Sequence, residues 1–95
     1  MMLQMVGCNH QNSSLEFREQ LAFGPEQLQD ALVQLRELYP LSELVLLSTC
    51  NRVELYSAAV EDANCPGKDE VASFFSDFHG IDVEEVGSQI QLHAG

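Results

Sequence analysis

The side chains most able to do chemistry are concentrated in one short segment, residues 48–52, which reads STCNR. It places a thiol, Cys50, two positions before a guanidinium, Arg52, among hydroxyl and amide groups. An arginine charge close to a thiol favours the thiolate, which is the nucleophilic form of cysteine. The neighbouring donors would hold a developing oxyanion, and the planar guanidinium would pair with a carboxylate. The segment therefore suits covalent catalysis by Cys50 on a substrate that carries a carboxylate.

A second interpretation of the same segment involves no chemistry. Asn51-Arg52 would simply form the turn of a hairpin, and Cys50 would pack as a small apolar residue. Residue types at this spacing are compatible with both interpretations. The physical chemistry of these five residues therefore leaves the two open.

The cysteines predict neither a disulfide framework nor a metal site. The chain has three cysteines, an odd number, and no Cys-x-x-Cys pair, which is typical of a reducing compartment. Candidate zinc ligands lie far apart, without the paired spacing of structural zinc sites. They are Cys8, His10, Cys50, Cys65, His79 and His93. We expect no bound metal, with Cys8 a buried small residue and Cys65 a loop thiol.

Composition excludes one class of function, the direct binding of a nucleic-acid backbone. The 95 residues hold 4 Lys+Arg and 15 Asp+Glu, which gives a formal net charge of −11. Proteins that bind nucleic acid unaided use Lys and Arg to neutralise phosphates, so this chain should repel them. No apolar run approaches the ~18 residues of a membrane span, and the N-terminus lacks a basic signal-peptide region. We expect a cytoplasmic protein without membrane contact.

Two predicted strands flank residues 48–52 and must position them. Residues 42–49 contain the apolar run LVLL, which fits a strand buried on both faces. Apolar and polar side chains then alternate over residues 53–60, as in a strand that returns from a tight turn. We therefore expect Cys50 to lie in the turn between these two strands.

The rest of the chain alternates strands with helices. Helical periodicity covers 15–23, 25–39 and 68–79 with a further turn over 82–86, and strand patterns cover 3–7 and 88–93. The resulting order, β-α(α)-β-β-α-β, predicts an α+β fold of the ferredoxin-like βαββαβ type. We expect a four-stranded antiparallel sheet with the helices packed on one face, and a single domain over residues 1–95.

The central motif also resembles that of a known family. The nine residues STCNRVELY, numbers 48–56, resemble the active-site signature of the glutamyl-tRNA reductase family. The opening of the chain is similar to that family's opening pattern, through Gly7, Asn9-His10, Arg18-Glu19 and Phe23. The spacing between the two patterns matches as well, and QLHAG at residues 91–95 resembles the segment before the family's next motif. The resemblance covers the whole chain.

The resemblance implies a reaction and a role for each residue of the motif. The family reduces glutamyl-tRNA with NADPH to glutamate-1-semialdehyde, the entry to tetrapyrrole (porphyrin) biosynthesis. Cys50 aligns with the nucleophile that attacks the aminoacyl ester, releases tRNA and forms a thioester. Thr49, Asn51 and Arg52 align with substrate-binding positions, with Arg52 the partner of a glutamate carboxylate. For Glu54, as for Tyr56, a site role and a purely structural strand role stay open.

Two further expectations concern the start of the chain. Gly7 would permit a close backbone approach near the end of its strand. Asn9 and His10 would either line the cleft or form a polar turn, and the two alternatives stay open.

The resemblance also implies that parts of the enzyme lie outside this chain. We expect an N-terminal catalytic-domain fragment, without cofactor-binding residues of its own, because it contains no glycine-rich dinucleotide fingerprint. NADPH binding and homodimerisation would belong to absent domains, and the family's histidine, serine and glutamine substrate contacts would follow Gly95. Glutamyl-tRNA would be met through its aminoacyl end, and the fragment alone should not complete the reduction. The alternative is a ferredoxin-like binding or regulatory module with a non-catalytic Cys50.

Overall fold

One antiparallel sheet forms the backbone of the fold in a computed structural model, which describes residues 1–94 apart from the side chain of Asp62. Its strands are β1 (Met2–Asn9), β2 (Glu43–Ser48), β3 (Arg52–Ala59) and β4 (Gln91–Ala94). The helices are α1 (Leu15–Leu21), α2 (Pro25–Leu38), α3 (Lys68–His79) and α4 (Val83–Gln89), with a 3₁₀ turn at Asp62–Asn64. The strands lie in the order β2-β3-β1-β4, and each neighbouring pair is antiparallel.

This arrangement confirms the predicted α+β class and the four-stranded antiparallel sheet. Strand β3 lies between β1 and β2, so the two strands joined by α1 and α2 run parallel without being neighbours. That is the split βαβ unit of a ferredoxin-like fold. The hairpin of β2 and β3 brings residues 49–51 to one end of the sheet, beside the end of β1.

The helices begin and end where local chemistry requires it. Ser14 caps α1 by accepting a hydrogen bond from the N–H of Phe17. Pro25 occupies the first turn of α2, where its missing N–H costs nothing. Helix α3 ends at Gly80, whose φ of 68° is a left-handed conformation that glycine adopts without strain.

The core lies between one face of the sheet and the helices. Val6 pairs with Leu55 and Cys8 pairs with Val53, and all four side chains are buried on that face. The buried helical residues packed with them include Phe17, Leu21, Ala31, Leu35, Val71, Phe75, Val86 and Ile90. This packing fixes the ends of β1 and β3 that adjoin the 49–51 turn.

The opposite face of the sheet, called here the open face, carries apolar side chains that no helix covers. By the alternation of the strands it presents Leu3, Met5, Val45, Leu47, Tyr56 and Ala58. Val45 is 60% exposed and Leu3 53% exposed. The helices therefore shield one side of the sheet, as predicted. The expected burial of the LVLL strand on both faces is wrong, because β2 is covered on one face only.

The boundary between the last helix and the last strand differs from the prediction. The strand expected over 88–93 and the helical turn expected over 82–86 are wrong in their limits, because α4 extends to Gln89. Asp82 caps α4 by accepting from the N–H of Glu85, and Val86 and Ile90 are both buried four positions apart. Ile90 thus belongs to the apolar face of the helical segment, and β4 begins only at Gln91.

Candidate active site

Cys50 lies in the short turn that joins β2 to β3. The N–H of Thr49 donates to the carbonyl of Arg52 at 2.8 Å, and the N–H of Asn51 donates to Thr49 Oγ1 at 3.2 Å. Both backbone donors are therefore used within the turn, while the Thr49 hydroxyl keeps its own proton to donate. Of the positions described, Gly80 alone has a positive φ, so this turn is not the mirror-image type I′ of many two-residue hairpins.

The three cysteines differ in exposure. Cys50 is exposed, whereas Cys8 and Cys65 are buried. Burial raises the pKa of the Cys8 thiol, against smaller opposing contributions that include a hydrogen bond with Ser13. A hairpin turn is present, as the non-catalytic interpretation expected, but its central residues are Cys50 and Asn51, and Arg52 begins β3. The packed Cys50 of that interpretation is wrong. The burial of Cys8 is confirmed.

A buried arginine on α1 contacts the backbone of the Cys50 turn. Arg18 is only 7% exposed, and its Nε lies 3.4 Å from the carbonyl oxygen of Cys50. Its Nη1 donates to the carbonyl of Ser13 at 2.6 Å and reaches that of Asn9 at 3.5 Å. One guanidinium thus joins the loop after β1 to the Cys50 turn. The helical periodicity does not predict this contact, and Arg18 stands out in the sequence only as part of the family pattern Arg18-Glu19.

Arg52 is held at one side and open at the other. Its Nη1 lies 3.6 Å from Glu54 Oε1, and its side chain is 50% exposed against 6% for that of Glu54. The Tyr56 hydroxyl donates to the same Glu54 oxygen at 3.0 Å. Partial burial, followed by this bond to Glu54, raises the pKa of Tyr56. The row Arg52, Glu54 and Tyr56 therefore orients the guanidinium and leaves it accessible.

Gly7 lets the backbone of β1 approach that of β3 at Glu54. It lies opposite Glu54 in the β1–β3 register. A Cβ at this position would overlap the carbonyl oxygen of Val53 and lie 2.7 Å from the Cα of Glu54. The predicted close approach of the backbone at Gly7 is therefore confirmed.

Asn9 and His10 combine the two alternatives left open for them. Asn9 Oδ1 accepts from the N–H of Gln11 at 2.9 Å, and the Asn9 N–H donates to Asn12 Oδ1 at 2.9 Å, which makes a polar turn. His10 is exposed, and both residues line a cavity beside Cys50. The polar turn and the cavity wall are thus the same structure.

Two cavities meet at Thr49 and Cys50. The polar cavity has a volume of about 520 Å³ and is lined by Asn9, His10, Gln11, Thr49, Cys50, Asn51, Arg52 and Glu54. The helix-side cavity has a volume of about 400 Å³ and is lined by Leu15, Arg18, Glu19, Ala22, Phe23, Ser48, Thr49 and Cys50. Ser48 fixes its wall by accepting a hydrogen bond from the N–H of Phe23 at 2.9 Å. Cys50 therefore stands between a cavity lined by polar residues and one whose lining includes apolar residues.

The loop after β1 does not fit a dinucleotide cofactor. The loop after β1 reads HQNSS and contains no glycine that would let the backbone approach a pyrophosphate. Within residues 1–94, the side chain of Asp62 aside, no three His, Cys, Asp or Glu side chains come together as metal ligands. Nor does any helix in that part of the chain have the length and apolar character needed to cross a bilayer.

Comparison with known proteins gives consistent matches. The family model described as "Glutamyl-tRNAGlu reductase, N-terminal domain" matches residues 6–95. Over 89 residues the chain is 40% identical to the glutamyl-tRNA reductase of Ectopseudomonas mendocina, covering 94% of this chain and 20% of that protein. It is 37% identical over 95 residues to the enzyme of Geobacter sulfurreducens, covering 100% and 21%.

A third relative has a somewhat higher identity. The glutamyl-tRNA reductase of Thiobacillus denitrificans is 43% identical over 86 residues, which cover 90% of this chain and 19% of that protein. The chain thus spans about a fifth of the length of these curated relatives. Because the family model covers nearly every residue, the chain belongs to the glutamyl-tRNA reductase N-terminal domain family.

Proposed function

We propose that this chain is the glutamyl-accepting part of an NADPH-dependent glutamyl-tRNA reductase. Cys50 would take the glutamyl group from glutamyl-tRNA as a thioester, on the way to glutamate-1-semialdehyde and tetrapyrroles. The observation that carries the proposal is the placement of the exposed Cys50 thiol in a turn beside a half-exposed Arg52. Membership of the family supports the same reaction.

The residues of the polar cavity suit the binding of a glutamyl group. The exposed edge of the Arg52 guanidinium would pair with the γ-carboxylate, since Glu54 holds the other edge. The Thr49 hydroxyl and the Asn51 side-chain amide, both exposed in the turn, would donate to the carbonyl oxygen as it gains negative charge. The backbone N–H groups of these two residues are used inside the turn, so side chains are the better candidates.

The remaining components belong to the full-length protein in this proposal. A nicotinamide cofactor bound by a domain outside residues 1–95 would supply the hydride that converts the acyl group to the aldehyde. Contacts to the body of the tRNA, and a homodimer interface, would likewise lie outside this acidic chain. Residues 1–95 would act as one domain whose task is acylation.

The test is the mass of the acylated enzyme. Full-length reductase would be mixed with glutamyl-tRNA in the absence of NADPH, and its peptides analysed by mass spectrometry. We expect a glutamyl adduct on Cys50, no adduct in Cys50→Ser, and an unchanged adduct in the control Cys65→Ser. The alternative, a binding module with a non-catalytic cysteine, requires that wild-type Cys50 stay unmodified, and that result would overturn the proposal.

A further inference from the structure

We infer that the helix-side cavity receives the leaving nucleoside of the substrate, the 3′-terminal ribose and its base. The inference rests on the proposed function, because it assumes that Cys50 is acylated by an aminoacyl ester. The carbonyl carbon of such an ester carries two arms, the amino acid and the ribose oxygen. These arms diverge from the atom that Cys50 attacks, and two cavities diverge from Cys50.

The linings of the two cavities match the two arms. The amino-acid arm carries an ammonium and a carboxylate, and the polar cavity is lined throughout by polar side chains and Cys50. The nucleoside arm carries an uncharged flat base, which packs well on apolar surface. Of the two cavities, the helix-side one has apolar side chains in its lining, namely Leu15, Ala22 and Phe23. Its volume of about 400 Å³ lies within the usual range of small-ligand sites.

The accessible charges point to the same assignment. In the polar cavity the exposed charge is Arg52, because Glu54 is 5% exposed. In the helix-side cavity the exposed charge is instead the negative one. Arg18 is buried against backbone carbonyls, while Glu19 is exposed. A carboxylate ligand is repelled by Glu19, whereas a ribose hydroxyl donates a hydrogen bond to it. The acyl arm therefore belongs with Arg52 and the ribose with Glu19.

The rim of the helix-side cavity lies on α1. Leu15 and Glu19 are four positions apart, so they are neighbours on one side of that helix. Leu15 is 56% exposed although it lines the cavity. An exposed leucine next to a carboxylate is a suitable contact for a base and its ribose.

The transfer of the glutamyl group from the ribose to Cys50 needs no other reactant. The Cys50 sulfur forms a bond to the carbonyl carbon, and the bond from that carbon to the ribose oxygen breaks. The thiol loses one proton, and the departing ribose oxygen gains one, so the products are a thioester and a free ribose hydroxyl. No electron is gained or lost, and no co-reactant is needed.

The test compares two acyl donors on the full-length enzyme without NADPH. One donor is glutamyl-tRNA, and the other is the ethyl thioester of glutamate at its α-carboxyl, which has no nucleoside. The variant is Leu15→Ala/Glu19→Ala on α1. The matched control is Val33→Ala/Glu37→Ala on α2, an exposed apolar residue and an exposed acid at the same spacing. The rate constant for Cys50 acylation is measured by mass spectrometry.

We expect the α1 variant to acylate from glutamyl-tRNA about tenfold more slowly, the scale of one lost base contact. With the ethyl thioester its rate should match wild type, and the control should match wild type with both donors. An equal loss with both donors, no loss with either, or a loss confined to the later NADPH-dependent reduction would overturn the inference. Wild-type Cys50 that accepts the glutamyl group from neither donor would instead overturn the proposed function itself, and this inference with it.

Discussion

An arginine that meets a substrate carboxylate must keep its guanidinium in place before the substrate arrives. In the proposed function Glu54 would perform this task for Arg52, and Glu54 itself accepts a hydrogen bond from the hydroxyl of Tyr56. Gly7 allows the backbones of β1 and β3 to approach closely at Glu54. Three residues from two strands thus prepare one charged group, Arg52.

The planar shape of Arg52 gives a prediction at this scale. In the full-length enzyme, Arg52→Lys keeps the positive charge but loses the fork that pairs with a carboxylate through two hydrogen bonds. We expect the KM for glutamyl-tRNA to rise by about tenfold, the equivalent of one charged hydrogen bond. The control is Arg36→Lys on the exposed side of α2. Steady-state kinetics measure both, and equal KM values for the two variants would contradict the role of Arg52.

Residue types were sufficient to single out residues 48–52 as a candidate site, although they left a catalytic and a non-catalytic interpretation open. The thiol of Cys50 and the guanidinium of Arg52 are chemically distinctive, and they lie two positions apart, Cys50 in the turn and Arg52 at the start of β3. Arg18 could not be found in the same way, because its contact with Cys50 joins residues 32 positions apart. Such a contact depends on how α1 packs on the sheet, which no local pattern contains.

Among the helices and strands, those with a clear sequence pattern were predicted well, and the one with an ambiguous pattern was not. The LVLL run and the alternation after Arg52 predicted strands, and β2 and β3 are present, although β2 is buried on one face and not on both. Ile90 fits both an alternating strand and the apolar side of a helix. The Asp82 cap and the burial of Val86 stabilise the helix up to Gln89. Strand β4 therefore begins only at Gln91.

The end of α3 gives a prediction about pH. Burial lowers the pKa of His79 from its ordinary value of 6.5, against a smaller opposing effect of a hydrogen bond with the Leu21 backbone. Its Nε2 is buried without a partner among the described residues, and its ring packs on Phe23 and Phe78. The folded state thus favours the neutral imidazole. Its contribution to stability is fully present above 6.5 and is lost as pH falls through the lowered pKa.

This linkage can be measured by chemical denaturation between about pH 7.5 and about pH 5. The free energy of unfolding of the wild type should fall more steeply with acidification than that of His79→Phe. Both proteins share the same carboxylates, so the difference between the two slopes isolates His79. Parallel slopes would show that the histidine takes up its proton equally in both states.

At the scale of the whole molecule, charge decides what the chain can hold. Fifteen acidic residues against four basic ones leave no surplus of positive charge for a phosphate backbone. An uncharged nucleoside and one carboxylate are ligands that such a surface can still accept, at places where single arginines lie. The proposed contact with tRNA is therefore confined to its aminoacyl end.

The isolated 95-residue chain should consequently fail to retain tRNA. In a filter-binding assay at about 0.1 M salt we expect no retention, because repulsion acts over about 10 Å. Full-length reductase assayed in parallel serves as the positive control. Retention by the isolated chain that weakens as salt increases would reveal a phosphate contact and contradict this view.

The net negative charge also affects whether copies of the chain associate through the open face of the sheet. Val45 and Leu3 expose apolar surface that would adhere to the corresponding surface of another copy. At neutral pH the mutual repulsion of chains that each carry −11 keeps these surfaces apart. Near the isoelectric point of about 4.3, or in concentrated salt, that repulsion disappears. The acidity that keeps this chain from nucleic acid thus also keeps its molecules dispersed.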